Sequence, residues 1–480
     1  MGPSSPSARE DLRGEAPPPP LSSLDDAKPA AYDERLRVNL ASIDTGSGKD
    51  GEPAAVAPVS RRGWGRLAQA YATVVPPGGL AASCLNLVSA ILGAGVVAIP
   101  AAFKLSGVVM ALLHLALVAV ATVFAMRLLA RVMLRTGARS YAETAARLLG
   151  PSAAHLVAVL IILLCFGGSV SYVIAVQTLM RPILTRPGSP TWLASHAGNR
   201  TMTALLWLLF MVPLTIPKRI NSLRYVSLLG VMVIVYFVGV MVVHAATHGL
   251  RDPTIREEIA FVRTGNAALE GLGVFLFAFL CQINAFEVFH ETAAPTVSNF
   301  TLYSALSVGF CTILYVFAGV FGYLDFGSGV TGSVLELYDP VHDPSVAVAY
   351  VGLVIKICIG FVLHMIPFRN AIYHFLRLDP MVVSYPKHIL IVMCPSTLAL
   401  LCGLFFPKIN TVMGLSGSLC GGILGMVLPA LYFMYSGKFT RGSVGLASFV
   451  GTYLLLIGGC AAVSFGTVTT VYSTIQNSFD

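Results

Sequence analysis

Apolar stretches of roughly 17 to 25 residues, the length that crosses a bilayer as a helix, recur from Gly79 almost to the end of the chain. That recurrence leaves lipid as the solvent for most of the molecule. Composition agrees: 56% of the 480 residues are hydrophobic and 11% are charged, against roughly a quarter charged in a soluble domain. The runs are continuous and too long for strands. The expected fold class is therefore an all-α polytopic membrane protein of about eleven transmembrane helices.

The expected spans are 79 to 101, 108 to 129, 153 to 178, 201 to 217, 226 to 246, 267 to 289, 302 to 324, 345 to 367, 389 to 406, 411 to 435 and 443 to 471. They give a membrane domain over residues 79–473 with a short end, 474–480. Residues 1–78 are a different material, rich in Pro, Ser, Gly, Asp and Arg, with a proline run from Pro17 to Pro20. Such a segment cannot bury enough apolar surface to offset its ordering entropy, so a disordered tail is expected. Its polar start is unlike a cleaved signal peptide.

Basic residues set the expected orientation. With the tail cytoplasmic, sixteen Lys and Arg fall in or near inner loops, including Arg131, Arg135 and Arg369, against eight in outer loops, including Lys104, Arg181 and Lys408. That asymmetry follows the positive-inside bias and places the C-terminus outside; the expected location of this multi-pass protein, which the asymmetry does not itself set, is the plasma membrane. The sequon Asn199-Arg200-Thr201 then lies in an outer loop, open to glycosylation. The net charge of +8 forms no groove-like stripe, so nucleic acid is not an expected partner. All nine cysteines sit in or beside apolar segments with no CxxC pair, as suits reduced, buried side chains.

Within the first span, NLVSAILGAGVVAIP carries Gly93 and Gly95 at its middle and Pro100 beyond them. Each glycine weakens a helix by about 1 kcal/mol relative to alanine. One reading is close helix packing through small residues. The other is a discontinuous helix whose freed main-chain groups line a cavity.

The stretch NLVSAILGAGVVAIPAAFKLSG, from Asn86 to Gly107, resembles the first-helix signature of the amino acid/auxin permease family. FAFLCQINAFEVFHE, from Phe277 to Glu291, is similar to that family's sixth helix, and GLSGSLCGGILGMVLPALYF, from Gly414 to Phe433, to its tenth. FGYLDFG near Phe321 and IPFRNAI at Ile366 are shorter echoes. The resemblance implies a sodium- or proton-coupled amino acid carrier of two inverted five-helix repeats plus one extra helix, with helices 1 and 6 both broken near the midplane. It implies that Leu92, Gly93, Ala94 and Gly95 meet the substrate carboxylate, with Ser89 or Asn86 nearby. Cys281, Gln282 and Asn284 would offer carbonyls to its ammonium. Likeness is greatest to the trypanosomatid branch, and within it to arginine permeases; lysine and neutral amino acid permeases are the alternatives.

Ionisable residues in a span are costly and mark functional candidates. Glu287 lies about one turn past the expected helix 6 break, where a carboxylate would pair with a substrate guanidinium or, in the plainer reading, with a basic residue at the inner gate. Lys356 lies near the middle of helix 8, one turn before Gly360. The resemblance puts Gly360 where sodium-coupled relatives carry a threonine ligand, so sodium coupling is doubtful. Lys356 is then a candidate coupling charge, with transport linked to protons or membrane potential and no cofactor or metal; the plainer reading is a lysine paired with Glu or reaching water. Asp325 is expected to be a solvated aspartate at a loop start. Ser169, Tyr172, His114, His364, Ser416 and Ser418 are candidate lining or packing residues. A membrane sensor of amino acids, signalling or trafficking through partners of the tail, is the competing class. No HExxH, GxSxG or P-loop pattern suggests an enzyme, and no selectivity-filter repeat suggests a channel.

Overall fold

The computed structural model describes residues 78–186, 188–217, 223–330, 332–376, 378, 382–405 and 408–479. The tail expected at residues 1–78 lies outside them but for Gly78. Among the described residues there is no strand, as hydrocarbon requires of a chain that satisfies its main-chain groups without closing a barrel.

The first span is α1 (Leu80–Ile91) and α2 (Gly95–Ser106), bent by 58° at the break between them. Gly107, at φ 74°, turns the chain into α3 (Val108–Thr136), the second span. A short helix, α4 (Tyr141–Leu149), leads into α5 (Pro151–Leu184), the third span; α4 is capped by the Ser140 hydroxyl, which accepts the Glu143 amide at 3.1 Å. Next come α6 (His196–Leu206), which continues through a π-turn to Thr215, and α7 (Leu223–Thr247). The sixth span is α8 (Asn266–Ala278) and α9 (Ala285–Glu291), separated by an irregular segment and one 3-10 turn, Gln282–Asn284. The seventh to ninth spans are α10 (Val297–Phe326), α11 (Pro344–Phe375) and α12 (Tyr385–Phe405). The tenth is α13 (Ile409–Ser416), extended through two π-turns into α14 (Leu428–Tyr435). The last is α15 (Leu446–Ala461), extended through another π-turn into α16 (Thr467–Phe479).

Nine of these helices, plus the bent α1–α2 pair as a tenth, are long and apolar enough to cross a bilayer among the described residues, one fewer than about eleven. The difference is the expected span at 201 to 217. Its helical run starts earlier, at His196, and the polar residues Asn199, Arg200 and Thr201 dilute its first turns. The packing still gives it a span's place, because it lies against α5 and α11.

The packing repeats with a period of five spans. The first span lies on the seventh as the sixth lies on the second. The fifth lies on the eighth as the tenth lies on the third, and the fourth on the eighth as the ninth on the third. The fifth touches the first as the tenth touches the sixth. An odd number of crossings per repeat makes the halves opposite in sense, so the fold is that of two inverted five-helix repeats. The eleventh span stands outside this pattern, packed on the tenth and on α8, with Leu454 and Ile457 on its outer face 64% and 63% exposed.

Amphipathicity is turned inside out where spans border the bundle's outside. On α3, Leu113, Leu117 and Val120 form an exposed stripe at helical spacing, while Leu115, Val118 and Thr122 are buried. The cysteines follow both surfaces: Cys165, Cys281, Cys311, Cys358 and Cys420 are buried as expected, whereas Cys394 and Cys460 are exposed on the outer faces of α12 and α15.

Candidate functional site

The two interrupted spans meet in the middle of the bundle. α1 ends at Ile91, and α2 begins at Gly95 beside Ala278, the last residue of α8: a Cβ on Gly95 would lie 3.0 Å from that of Ala278. By helix geometry the first amides of α2 and α9 and the last carbonyls of α1 and α8 lack intrahelical partners at these ends. The start of α2 carries a partial positive charge and the end of α1 a partial negative one. This pairing of freed donors and acceptors suits a zwitterion.

The structure places Leu92, Gly93 and Ala94 in the first interruption, with Leu92 and Ala94 buried and Gly93 partly open. Gly93 is small for a local reason, since a Cβ there would come within 2.7 Å of the Tyr172 hydroxyl. That hydroxyl, on α5, also faces the Ala94 amide. Ser89, in the last turn of α1, is buried, and its hydroxyl accepts a hydrogen bond from Lys356 Nζ at 3.5 Å.

In the second interruption Cys281 and Gln282 are 1% and 2% exposed. The Gln282 carboxamide oxygen accepts the Cys281 amide at 3.0 Å, so this side chain satisfies the break itself. Asn284 closes the 3-10 turn. Asn86 is drawn elsewhere: its Nδ2 donates to Glu291 at 3.4 Å, at the end of the bundle where α1 starts and α9 stops. There Ser83 and Thr292 hydroxyls meet at 3.3 Å and the Ala293 amide donates to Gly78 O at 2.9 Å. The cluster ties the two spans together at that end.

Glu287 lies on α9 with its side chain exposed. Among the described residues it has no hydrogen bond or ion pair, so the pairing with a basic residue considered for it has no support there. Lys356 is 5% exposed and has no carboxylate partner among the described residues; neither pairing nor reach to water describes it. Its stem fills the space left by Gly230 on α7, where a Cβ would stand 2.7 Å from Lys356 Cδ. Its ammonium sits beside the carbonyl end of α1, the end of a helix dipole that favours a cation.

The opposite end of the bundle is fastened by Lys104, which donates to Ser328 O at 2.7 Å and Val330 O at 2.8 Å. The segment before α8 crosses over α2 and α3, with Arg263 N donating to Ser106 O at 2.9 Å and Val109 N to Phe261 O at 2.8 Å. Glu258 accepts the Ser328 hydroxyl at 2.5 Å and amide at 3.1 Å, bonds that hold its carboxyl below the ordinary range. A cavity of about 500 Å³ opens at this end between Arg181, Arg186, Glu336, Asp339 and His342. It lies nine residues along α5 from Tyr172, roughly 13 Å of helix rise, and so is separate from the two interruptions.

Two expectations for side residues change. Asp325 is 2% exposed, and its Oδ2 pairs with His244 Nδ1 at 2.7 Å; α10 carries it into the bundle instead of ending before it. Asn199 is 8% exposed inside α6 and donates to Gln177 O at 3.1 Å, a helical, committed amide unlike an open glycan acceptor. Ser169 is buried and bonds Cys165 O in its own helix at 2.8 Å. Of the remaining candidates, His364 bonds Gly360 O at 3.2 Å and meets the Tyr172 ring edge-on, His114 packs near Phe275, and Ser416 and Ser418 lie on the small-residue seams against Gly167 and Gly273.

Sequence reasoning missed Gly230 and Tyr315. Neither a glycine in one apolar run nor a tyrosine in another announces which other spans it meets: Gly230 makes room for Lys356, and the Tyr315 hydroxyl reaches Ile91 O and Ala278 O.

A helical bundle of inverted five-span repeats with its first and sixth spans interrupted side by side defines a membrane carrier, not an enzyme. Residues 77–472 match the family model described as transmembrane amino acid transporter protein, and the chain belongs to that family. It is 29% identical over 370 residues to vacuolar amino acid transporter 5 of Schizosaccharomyces pombe, covering 75% of this chain and 85% of that protein. It is 26% identical over 386 residues to a putative sodium-coupled neutral amino acid transporter 11 of Danio rerio, covering 79% and 85%. It is 24% identical over 416 residues to amino acid transporter AVT6E of Arabidopsis thaliana, covering 82% and 83%.

Proposed function

We propose that the chain is a secondary active carrier of a cationic amino acid, L-arginine, working by alternating access. The amino acid's backbone binds between the interruptions of the first and sixth spans. The observation that carries this reading is their contact at Gly95 and Ala278, which brings the positive start of α2 and the negative ends of α1 and α8 into one place. Gly93, Ala94 and Gly95 serve the carboxylate, with Leu92 shaping the turn. Cys281, Gln282 and Asn284 serve the ammonium.

The preference for arginine rests on Glu287, an exposed carboxylate on α9 without a partner among the described residues, which offers a guanidinium a two-point contact. Coupling rests on Lys356: a buried ammonium between α1, α7 and α11 stands where a coupling cation would otherwise be needed. Transport is accordingly linked to protons or membrane potential rather than to sodium. A cation moving to the negative side gains about 2.3 kcal/mol per 100 mV.

In this reading the end carrying Arg135 and Glu291 faces the cytoplasm, in keeping with its excess of basic residues, and the resident membrane is the plasma membrane. The Schizosaccharomyces pombe relative is by name a vacuolar transporter, which makes that membrane the competing location. The test of function is uptake of labelled arginine into proteoliposomes holding the purified chain. Saturable, potential-driven uptake competed by lysine is expected. Binding without uptake would replace the carrier with a sensor.

A further inference from the structure

Tyr315 stands in the middle of α10, completely buried, and its hydroxyl reaches both interruptions. It lies 2.8 Å from Ile91 O and 3.1 Å from Ala278 O. These are the last carbonyls of α1 and α8, beyond the reach of their own helix turns; Ile91 O also accepts the Gly93 amide at 2.9 Å. A single hydroxyl proton shared between two carbonyls from different spans fixes their separation, because either bond lengthens if the spans drift apart. The ring is held independently, edge-on to Phe279 at 5.2 Å between centroids, so the hydroxyl is presented by packing and not by the bonds it makes. The Gly95–Ala278 approach lies beside it, with the Tyr315 hydroxyl 3.7 Å from where a Gly95 Cβ would be.

We infer that Tyr315 is a positioning residue: its hydroxyl staples the end of α1 to the end of α8 and so sets the width of the cleft that receives the amino acid backbone. It contacts no substrate itself, and no sequence signal singled it out. The inference rests on the reading that the interruptions bind the backbone. Because the staple acts on the main-chain ends of the cleft and not on the side-chain pocket, its loss weakens all substrates alike.

The experiment is initial-rate uptake in proteoliposomes by wild type and Tyr315→Phe, with arginine, lysine and a neutral amino acid. Removing the hydroxyl alone is expected to raise KM about tenfold, the worth of one buried hydrogen bond, with Vmax nearly unchanged and the order of preference among substrates kept. Tyr315→4-aminophenylalanine, which restores a donor on the same ring, is expected to return KM to the wild-type value. An unchanged KM in Tyr315→Phe, a fall in Vmax alone, or a shift in preference among substrates overturns the inference. If Tyr315→Phe does not reach the membrane, the 4-aminophenylalanine protein decides: wild-type KM upholds the staple, and any other value overturns it. Failure of the underlying reading is seen separately in wild type, where an amine lacking the α-carboxylate would compete as well as the full amino acid.

Discussion

Gly360 is a glycine because of Tyr172: a Cβ at position 360 would lie 2.6 Å from Cζ of the tyrosine ring and 2.7 Å from its hydroxyl oxygen. The ring is wedged between α11 and the interruption of the first span, with His364 against its edge. The absence of a side chain at 360 thereby admits the tyrosine that faces the Ala94 amide.

Gly360→Ala is therefore expected to strain the packing of α5 on α11 by about 1–3 kcal/mol, seen as a lower thermal midpoint of the purified protein. Added to Tyr172→Ala, the same substitution should cost little, since its obstacle is gone; the two sites should couple by about 0.5–3 kcal/mol in a double-mutant cycle. Additive losses would show that the ring is not what excludes a side chain at 360.

Lys356→Met tests coupling without a folding penalty, because replacing a buried charge by an apolar chain of similar volume is often neutral or stabilising, and the space beside Gly230 accepts it. Wild-type uptake should be unchanged when choline replaces sodium. The variant should retain exchange of labelled for unlabelled substrate and potential-driven entry of the cation, but lose proton-driven accumulation measured at zero membrane potential. Proton-driven accumulation at zero potential by Lys356→Met would remove the lysine from the coupling role.

Glu287→Gln keeps the shape of the side chain and removes its charge. Since Glu287 is exposed, solvent screens part of its attraction, and the expected effect is modest: about a tenfold rise in the concentration of arginine or lysine needed to compete. Competition by neutral amino acids should stay the same. Equal effects on both classes would mean that Glu287 shapes the cleft and does not select charge.

The spans were legible because apolar length is a local signal, whereas the repeats and the two interruptions came from the family resemblance of the segments around Gly93 and Cys281, since glycines at mid-span alone fit close packing as well as a break. What a side chain meets across the bundle was legible in neither way. Asp325 reads as a loop aspartate because its partner, His244, lies 81 residues away. Asn86 reads as a central ligand, yet helix phase turns it to Glu291, 205 residues on. The fourth span hid its start for a related reason, since Asn199 and Arg200 look like loop residues until Gln177 O and the Phe405 ring, 4.8 Å from the Arg200 guanidinium carbon, are brought beside them.

The Asp325–His244 pair joins α10 to α7 near the Lys104 end of the bundle, with the aspartate side chain wholly enclosed and His248 stacked on His244 at 4.3 Å. Removing Asp325 leaves the His244 ring nitrogen without its hydrogen-bond partner, a loss of about 1–3 kcal/mol. Asp325→Ala should therefore lower the thermal midpoint. Asp325→Asn, which keeps a hydrogen-bonding oxygen near Nδ1, should lower it less. A second readout separates this structural role from attraction of a cationic substrate: in Asp325→Asn the KM for arginine should match wild type once uptake is normalised to folded protein. The pairing explains why, since an enclosed carboxylate already bound to imidazole presents little field to an approaching guanidinium. A selective rise in the arginine KM, with neutral substrates unaffected, would return Asp325 to the substrate path.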